Sequence, residues 1–318
     1  MGMSGNVRAV LRATAQRLPS TVTALLPDRI AYRVALAQST ARQRSALPEE
    51  MPAEFRGRPY AFEDRAFLDY PMEQLHGTWF RGPLDRGPGA IAWLGAAQTF
   101  GRYVADPFPA IVGSRLGLGT LNLGGAGTSP EYYLRRPILF DEVNRCPVAV
   151  IQVMSARGID YGSFRSAEGR VGGVRTDTGL PAESLDVING LLARGESHEA
   201  HRLIEESQRA WVEKMTRLFE SVTCRTVLLY ISFEEPPEEV VVNDTMVKKG
   251  FPQLVSLEMI RDIAPLADDF VSVVSHAGIP QVLRDVRGRI ARVNEYYPSP
   301  EMHRLAAEGL TPAVKRLL

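Results

Sequence analysis

The sequence predicts an α/β fold: a three-layer α/β/α sandwich with a five-stranded parallel sheet, preceded by an N-terminal helical extension. Short apolar runs alternate with longer helical segments, which is typical of a parallel sheet covered by helices on both faces. Within Ile91–Gly101, IAWLGAAQTFG, an apolar run opens directly into a turn of small residues. A strand that ends in such a turn lets the backbone and a ligand approach each other closely.

Composition sets the domain organisation that we expect. The 318 residues are 45% apolar, with material for one large core. We predict a basic helical extension over 1–46, a linker and aromatic-rich irregular wrap over 47–88, and the α/β domain over 89–318. Within the extension, helical composition favours helices over Val7–Leu18 and Arg29–Ser45.

The alternation within the α/β domain predicts each element in turn. The strands are expected at Ile91–Leu94, Thr120–Leu123, Val148–Val153, Thr226–Ile231 and Phe270–Val274. The helices are expected at Thr99–Leu116 with a break at its prolines, from Ser129 toward Asn144, and at Ala182–Ala193, Ser197–Val222 and Pro300–Leu317. This succession predicts a flavodoxin-like order, in which the first strand lies between the second and the third.

Charge and cysteine content exclude several classes of function. The formal net charge is zero, so we expect no nucleic-acid partner. Cys146 and Cys224 belong to no CxxC motif or histidine cluster, and we expect neither a metal site nor a cofactor. No apolar run approaches the roughly 20 residues of a membrane span, and no secretory signal is visible, so we expect a cytoplasmic protein.

The extension has a charge pattern of its own. It carries seven arginines and one acidic residue, Asp28, and Arg8, Arg12 and Arg17 stand in an amphipathic segment. This pattern is compatible with helices packed on the flank of the domain or with an organelle transit peptide. It also fits binding to an anionic membrane surface, peripherally, or self-association.

Four sequence blocks carry a resemblance to a known family. They are GAAQTFG at 95–101, Asn122-Leu-Gly-Gly after the second strand, Met154-Ser-Ala-Arg after VAVIQV, and NEYYPSPEMHRLAAEGL at 294–310. Over Ile91–Leu317 the chain resembles the SGNH (GDSL-like) hydrolases, which implies their fold and places ester hydrolysis at these blocks. It also resembles a bacterial family of domains of unknown function with the same GAAQTFG, NLG and PSPEMH-type signatures, which implies a bacterial source and no established activity.

The blocks depart from the SGNH pattern where its chemistry resides. An SGNH esterase needs a serine activated by a histidine, which an aspartate orients. The matching positions here hold Ala97, Tyr297 and Asn294, and Ala156 replaces the asparagine that donates to the oxyanion. Gly124 could still offer a backbone N–H. The resemblance therefore implies that hydrolysis by the family mechanism is absent.

Three residues remain as catalytic candidates: Thr99, Ser155 and His303. Thr99 either offers a hydroxyl or satisfies a local carbonyl, and His303 is either a structural histidine or a general base. Ser155, Arg157 and Asp160 follow the third strand, where Arg157 could pair with an anionic group or the loop could simply be exposed. Tyr297 could fill the old pocket. The residues that we expect to line the site are Gly95, Ala97, Gln98, Asn122, Gly124, Gly125, Ala156, Arg157 and Tyr297.

Two classes of function follow. The first is a non-hydrolytic SGNH-like protein, a pseudoenzyme that binds an unknown small molecule or a glycan-related partner; the link to glycan or polysaccharide metabolism rests on fold analogy. The second is an enzyme that transfers an acyl or similar group onto a saccharide with relocated residues. A purely structural or assembly role is a third, weaker reading.

Overall fold

The computed structural model of the protein describes residues 52–240, 242 and 250–318. The basic extension, its two predicted helices and Arg8, Arg12 and Arg17 lie outside this part of the chain. The larger of two compact units comprises Tyr70–Ala277 and Pro298–Leu318, and the smaller one groups 52–69 with Gly278–Tyr297. These limits differ from the boundaries at 46 and 88 that we expected from composition, and that division stays a prediction.

The larger unit begins with a hairpin where the sequence predicts an irregular wrap. Strand β1, Met72–Leu75, pairs antiparallel with β2, Thr78–Arg81. The prediction was wrong here because the two strands are only four residues long and only the last residue of the first one is buried, so that strand shows no apolar run. The remaining strands of this unit are β3 Ala90–Leu94, β4 Gly119–Asn122, β5 Val148–Gln152, β6 Phe164–Ser166, β7 Gly172–Arg175, β8 Pro181–Glu183, β9 Arg225–Ser232 and β10 Asp269–Val274.

Five of these strands form one parallel sheet in the order β10-β9-β5-β3-β4. The first strand in sequence therefore lies between the second and the third, which confirms the predicted fold class and order. Every residue of β3 and β5 is buried, as expected of central strands with helices on both faces. The three short strands β6, β7 and β8 form a separate antiparallel sheet that we did not predict.

Helices cover both faces of the parallel sheet. They are α1 Ala97–Phe100, α2 Phe108–Leu116, α3 Pro130–Leu134, α4 Ile138–Val143, α5 Ser184–Ala193, α6 Ser197–Ser221, α7 Leu257–Ile263 and α8 Pro300–Leu317. The predicted break between α1 and α2 is confirmed, whereas the predicted helix from Ser129 toward Asn144 is two helices. Among the described residues, no helix is both long enough and apolar enough to cross a membrane.

The two faces of β3 have different neighbours, because successive side chains of a strand point to opposite sides. Ala92 and Leu94 belong to the large apolar cluster that includes Trp211 of α6. On the other side Trp93 packs edge-on against Phe108 of α2, with ring centroids 5.6 Å apart. Helices α2 and α8 pack against each other on this side. The carboxyl ends of the strands are thereby held between two helical layers.

The smaller unit contains a helix, Pro59–Asp64, and an antiparallel hairpin of Gln281–Arg284 with Ile290–Asn294. Neither element was predicted. The hairpin strands are exposed or half-buried at most positions, so no continuous apolar run marks them.

Candidate functional site

The turns that follow β3, β4 and β5 meet at the carboxyl edge of the sheet. The N–H of Gly125 donates to the carbonyl of Gly95 over 3.1 Å, which joins the first two turns. Gly95 must be glycine, because a Cβ there would lie 2.5 Å from Oε1 of Gln152. Gly124 must be glycine for a similar reason, because its Cβ would collide with the backbone nitrogen of Phe100. At the predicted turn of small residues, the backbones that follow β3 and β4 are thus in close contact.

A single buried amide, that of Gln152, ties the first turn to β5. Its Oε1 accepts the N–H of Ala96 at 3.0 Å and the hydroxyl of Thr99 at 2.6 Å. Its Nε2 donates to Oε1 of Gln98 at 3.2 Å. All of these side chains are buried, and Gln152 has no exposed surface. Of the two alternatives for Thr99, the bond to a local carbonyl is not observed, because the hydroxyl donates to the amide oxygen of Gln152.

Asn122, the last residue of β4, links the first and second turns. Its Nδ2 donates to the carbonyl of Thr99, and its Oδ1 accepts the N–H of Gly124, each at a distance of 3.0 Å. The hydroxyl of Thr128 also donates to the carbonyl of Gly95 at 2.8 Å. The backbone N–H that we expected Gly124 to offer is therefore already paired with Asn122.

Tyr133 of α3 contacts the residues that follow β3 and β4. Its hydroxyl accepts the N–H of Gly95 at 2.8 Å and lies 2.9 Å from the carbonyl oxygen of Leu123, to which it can donate. Burial raises the pKa of Tyr133 well above its ordinary value, so the phenol is neutral. The hydroxyl acts as a structural clamp between the ends of β3 and β4.

The third turn is bonded to the second turn, since the hydroxyl of Ser129 donates to the carbonyl of Gly158 at 2.8 Å, and also to the segment before α7. Ser155 donates its hydroxyl to the carbonyl of Gln253 at 3.2 Å and accepts the N–H of Arg157 at 3.3 Å. Ser155 and Ala156 are buried, which corrects the view of this segment as an exposed loop. Asp160 also has structural partners, since it accepts from Ser166 and pairs with Arg135 at 3.0 Å.

His303 lies in the first turn of α8 and is fully buried. Its Nδ1 accepts the N–H of Phe108 at 3.0 Å, and its ring stacks on the Phe108 ring with centroids 5.3 Å apart. Burial, together with the nearby charge of Arg81, lowers the pKa of His303 to about 3. The imidazole is neutral, with its proton on Nε2, and Nε2 has no hydrogen-bond partner among the described residues. Neither Thr99 nor Ser155 is bonded to it.

Arg81 fixes the chain between α1 and α2. Its guanidinium donates to the carbonyls of Phe100 at 3.1 Å, Gly101 at 2.7 Å and Val104 at 2.9 Å. Burial lowers the pKa of Arg81 to about 10, against the opposing effects of Tyr70 and Asp106. Four residues thus matter to this edge that the sequence analysis missed: Gln152, Tyr133, Thr128 and Arg81. Only Gln152 had a sequence signal, as the one polar residue in the apolar run VAVIQV.

Two of the positions that the resemblance matches with catalytic residues, Asn294 and Tyr297, belong to the smaller unit. Asn294 accepts the N–H groups of Tyr296 at 3.0 Å and of Tyr297 at 2.8 Å. Its amide donates to the carbonyl of Tyr297 and to the side chain of Gln281. Asn294 therefore shapes its own turn. The predicted approach of Tyr297 to Ala97 stays a prediction.

The described residues contain no group of three or more His, Cys, Asp or Glu side chains that could hold a metal ion. Cys146 and Cys224 are free thiols, and burial raises the pKa of each to about 11. Both are protonated at neutral pH and poor nucleophiles for that reason.

These features define an α/β protein with a flavodoxin-like parallel sheet whose strand-end turns are closed by buried polar groups. The family "Domain of unknown function (DUF6473)" matches residues 63–163 and 189–318, and the chain belongs to it. Among curated proteins, no sequence matches the chain.

Solved structures show distant similarity. A carbohydrate esterase family 2 enzyme from Corynascus thermopiles (Myceliophthora fergusii) is 13% identical, with a TM-score of 0.35 over 77% of this chain and 70% of that chain. An acetyl xylan esterase from Butyrivibrio proteoclasticus is 10% identical, with a TM-score of 0.38 over 76% and 67%. A protein assigned to the lipolytic G-D-S-L family, from Desulfitobacterium hafniense DCB-2, is 16% identical, with a TM-score of 0.32 over 72% and 99%. Identity and TM-score are too low to inform activity.

Replacing the central amide tests the buried network. Gln152→Leu leaves the N–H of Ala96 and the hydroxyl of Thr99 without their acceptor, so the free energy of unfolding should fall by about 2 to 5 kcal/mol. Gln208→Leu is the matched control, because that half-buried amide makes one bond of 3.3 Å to the carbonyl of Leu254; its cost should be about 1 kcal/mol or less. Urea unfolding followed by circular dichroism measures both. Equal losses in the two variants would contradict the central role of Gln152.

His303 should make stability depend on pH. Its folded pKa lies below the unfolded value of about 6.5, so between these values the unfolded chain binds a proton that the folded chain does not. The contribution of this residue to the free energy of unfolding should therefore fall by about 1.4 kcal/mol for each pH unit from 6.5 downward and stay constant above 6.5.

The measurement compares urea unfolding between pH 7 and 4.5 for the wild type and His303→Gln. In the variant, the slope of the free energy of unfolding against pH should be smaller by the contribution of one proton. His198→Gln serves as the control, since His198 is exposed on α6 and its replacement should leave the slope unchanged. An unchanged slope in His303→Gln would contradict the account of the neutral, buried ring.

Proposed function

We propose that this chain is an SGNH-hydrolase-like protein without the Ser–His–Asp machinery that acts as a non-hydrolytic ligand- or partner-binding protein. The observation that carries the proposal is the separation of the three catalytic candidates. Thr99, Ser155 and His303 are all buried, and each is bonded to a different structural group.

Nucleophilic catalysis needs a hydroxyl whose proton a neighbouring base can accept. The hydroxyl of Thr99 donates to an amide oxygen and that of Ser155 to a backbone carbonyl, and neither acceptor is a base at neutral pH. His303 uses Nδ1 for the N–H of Phe108 and has no contact with either hydroxyl. No pair of these residues forms a nucleophile and its base, which disfavours group transfer with relocated residues.

Two backbone donors at this edge that could stabilise an oxyanion are also occupied. The N–H of Gly124 is bonded to Asn122, and that of Ala156 donates to the carbonyl of Gln253 at 3.1 Å. An oxyanion hole needs donors that point at the developing charge and are free to bind it. The pairing of these two groups supports binding without acyl transfer.

The ligand class that we propose is a glycan or a glycan-related partner, an expectation from the resemblance to SGNH hydrolases alone. We further propose a cytoplasmic location, and a basic extension that attaches the protein to an anionic membrane surface or to a second copy.

Ester hydrolysis tests the proposal directly. The purified protein should hydrolyse p-nitrophenyl acetate no faster than an equal concentration of an unrelated protein, because Ala97 has no hydroxyl and no candidate has a base beside it. Release of p-nitrophenolate at 405 nm measures the rate. Robust turnover that His303→Ala abolishes and His198→Ala preserves would overturn the proposal in favour of relocated chemistry.

A further inference from the structure

Arg170 lies between β6 and β7, in a segment wedged between the turns that follow β4 and β5. The N–H of Ser129 donates to the carbonyl of Gly169 at 3.0 Å, and the N–H of Val171 donates to the carbonyl of Gly127 at 3.1 Å. On the other side, a Cβ on Gly158 would lie 3.3 Å from the backbone carbonyl carbon of Arg170. Because β4 and β5 flank β3, this segment brings Arg170 to the edge where open α/β sheets bind ligands.

The guanidinium of Arg170 is held in place by two contacts. It lies over the ring of Tyr132, 4.5 Å from the centroid, and Nη1 donates to the carbonyl of Ala126. Tyr132 is fully buried, and its hydroxyl has no hydrogen-bond partner among the described residues. Its ring is therefore the part that supports the arginine, through a cation–π contact.

Arg170 differs from its neighbours in having no acidic partner. Arg135 pairs with Glu131, Arg136 with Glu168, and Arg165 lies 3.9 Å from Asp160. For Arg170, no carboxylate of the described residues lies within ion-pair distance, although the side chain is only half-buried. A positioned cation that lacks an internal counter-charge is suited to an external anion.

The turn after β4 passes close to this guanidinium. A Cβ on Gly125 would stand 3.6 Å from Nη1 and 3.9 Å from Nη2 of Arg170. The same Cβ would lie 2.9 Å from Cγ2 of Thr128, so glycine at position 125 is what lets the turn pass this close to the guanidinium. Gly125 belongs to the turn that we expected to line the site.

We propose that Arg170 is the anion-recognition residue of a ligand site at this edge and that the ligand carries a carboxylate or a phosphate. The inference rests on the proposed function, which makes this edge a binding site. The planar guanidinium matches the paired oxygens of either group, and Tyr132 and Ala126 fix its orientation before the ligand arrives. Carboxylate and phosphate share this chemistry, and the two are distinguished by the probes below.

Isothermal titration of the full-length protein with sodium glucuronate, inorganic phosphate and neutral glucose tests the proposal. We expect at least one of the two anions to bind. We expect glucose to bind more weakly than that anion. Arg170→Gln should weaken binding of that anion by about 10- to 100-fold, because a hydrogen-bonded charge pair is lost. Arg165→Gln is the matched control, an exposed arginine of the same small sheet, and should leave the affinity unchanged.

Two further variants separate recognition from folding. Tyr132→Phe keeps the ring and should retain the affinity, while Arg170→Lys keeps the charge without the fork and should bind more weakly than the wild type. Thermal midpoints of all variants are measured alongside. The proposal is overturned if the wild type binds neither anion, or if a folded Arg170→Gln binds as tightly as the wild type. Ester turnover, measured separately, is the result that overturns the proposed function itself.

Discussion

The amide of Gln152 is the interaction on which the carboxyl edge of the sheet depends. Gln152 is the last residue of the central strand β5, and its side chain has no exposed surface. Water therefore cannot satisfy the polar atoms of this amide. Ala96 in the turn after β3, and Gln98 and Thr99 in the helix α1 that follows it, supply the missing partners. The need to pair one buried amide thus fixes the path of the turn and requires glycine at position 95.

This constraint has a consequence for chemistry. Groups that could contact a substrate are used here to hold the turns together: the N–H of Gly124 is bonded to Asn122, and the hydroxyl of Thr99 is bonded to Gln152. Buried polar networks that are fully paired are rigid, because every displaced member leaves an unsatisfied partner. Under our proposal, what the edge can still offer a ligand is the guanidinium of Arg170, which lies over the ring of Tyr132.

The sequence predicted the parts of the fold that rest on long buried apolar runs. The five parallel strands and their order follow from such runs, as in VAVIQ of β5. The small antiparallel sheet was not predicted because its strands have only three or four residues. Strand β7 contains two glycines, and strand β8 begins with a proline. Short strands of this composition have no periodicity to detect.

Of the site, the positions could be predicted and the partners could not. Gln98, Asn122 and Gly124 lie close together at the ends of β3 and β4, because the carboxyl ends of neighbouring parallel strands meet at one edge, and their part in a ligand site stays a prediction. The bond from Thr99 to Gln152 spans 53 residues, and the one from Phe108 to His303 spans 195. Side-chain pairs so distant in sequence are set by the packed structure, so local patterns cannot reveal them.

Hydrogen exchange at the backbone N–H of Ala96 tests the central claim most directly, since this group donates to Gln152 inside the turn. A turn locked by the buried amide should exchange this proton only through global unfolding, with a protection factor close to that of the central residues of β3 and β5. Exchange orders of magnitude faster than in those strands would show an opening turn and would contradict the account.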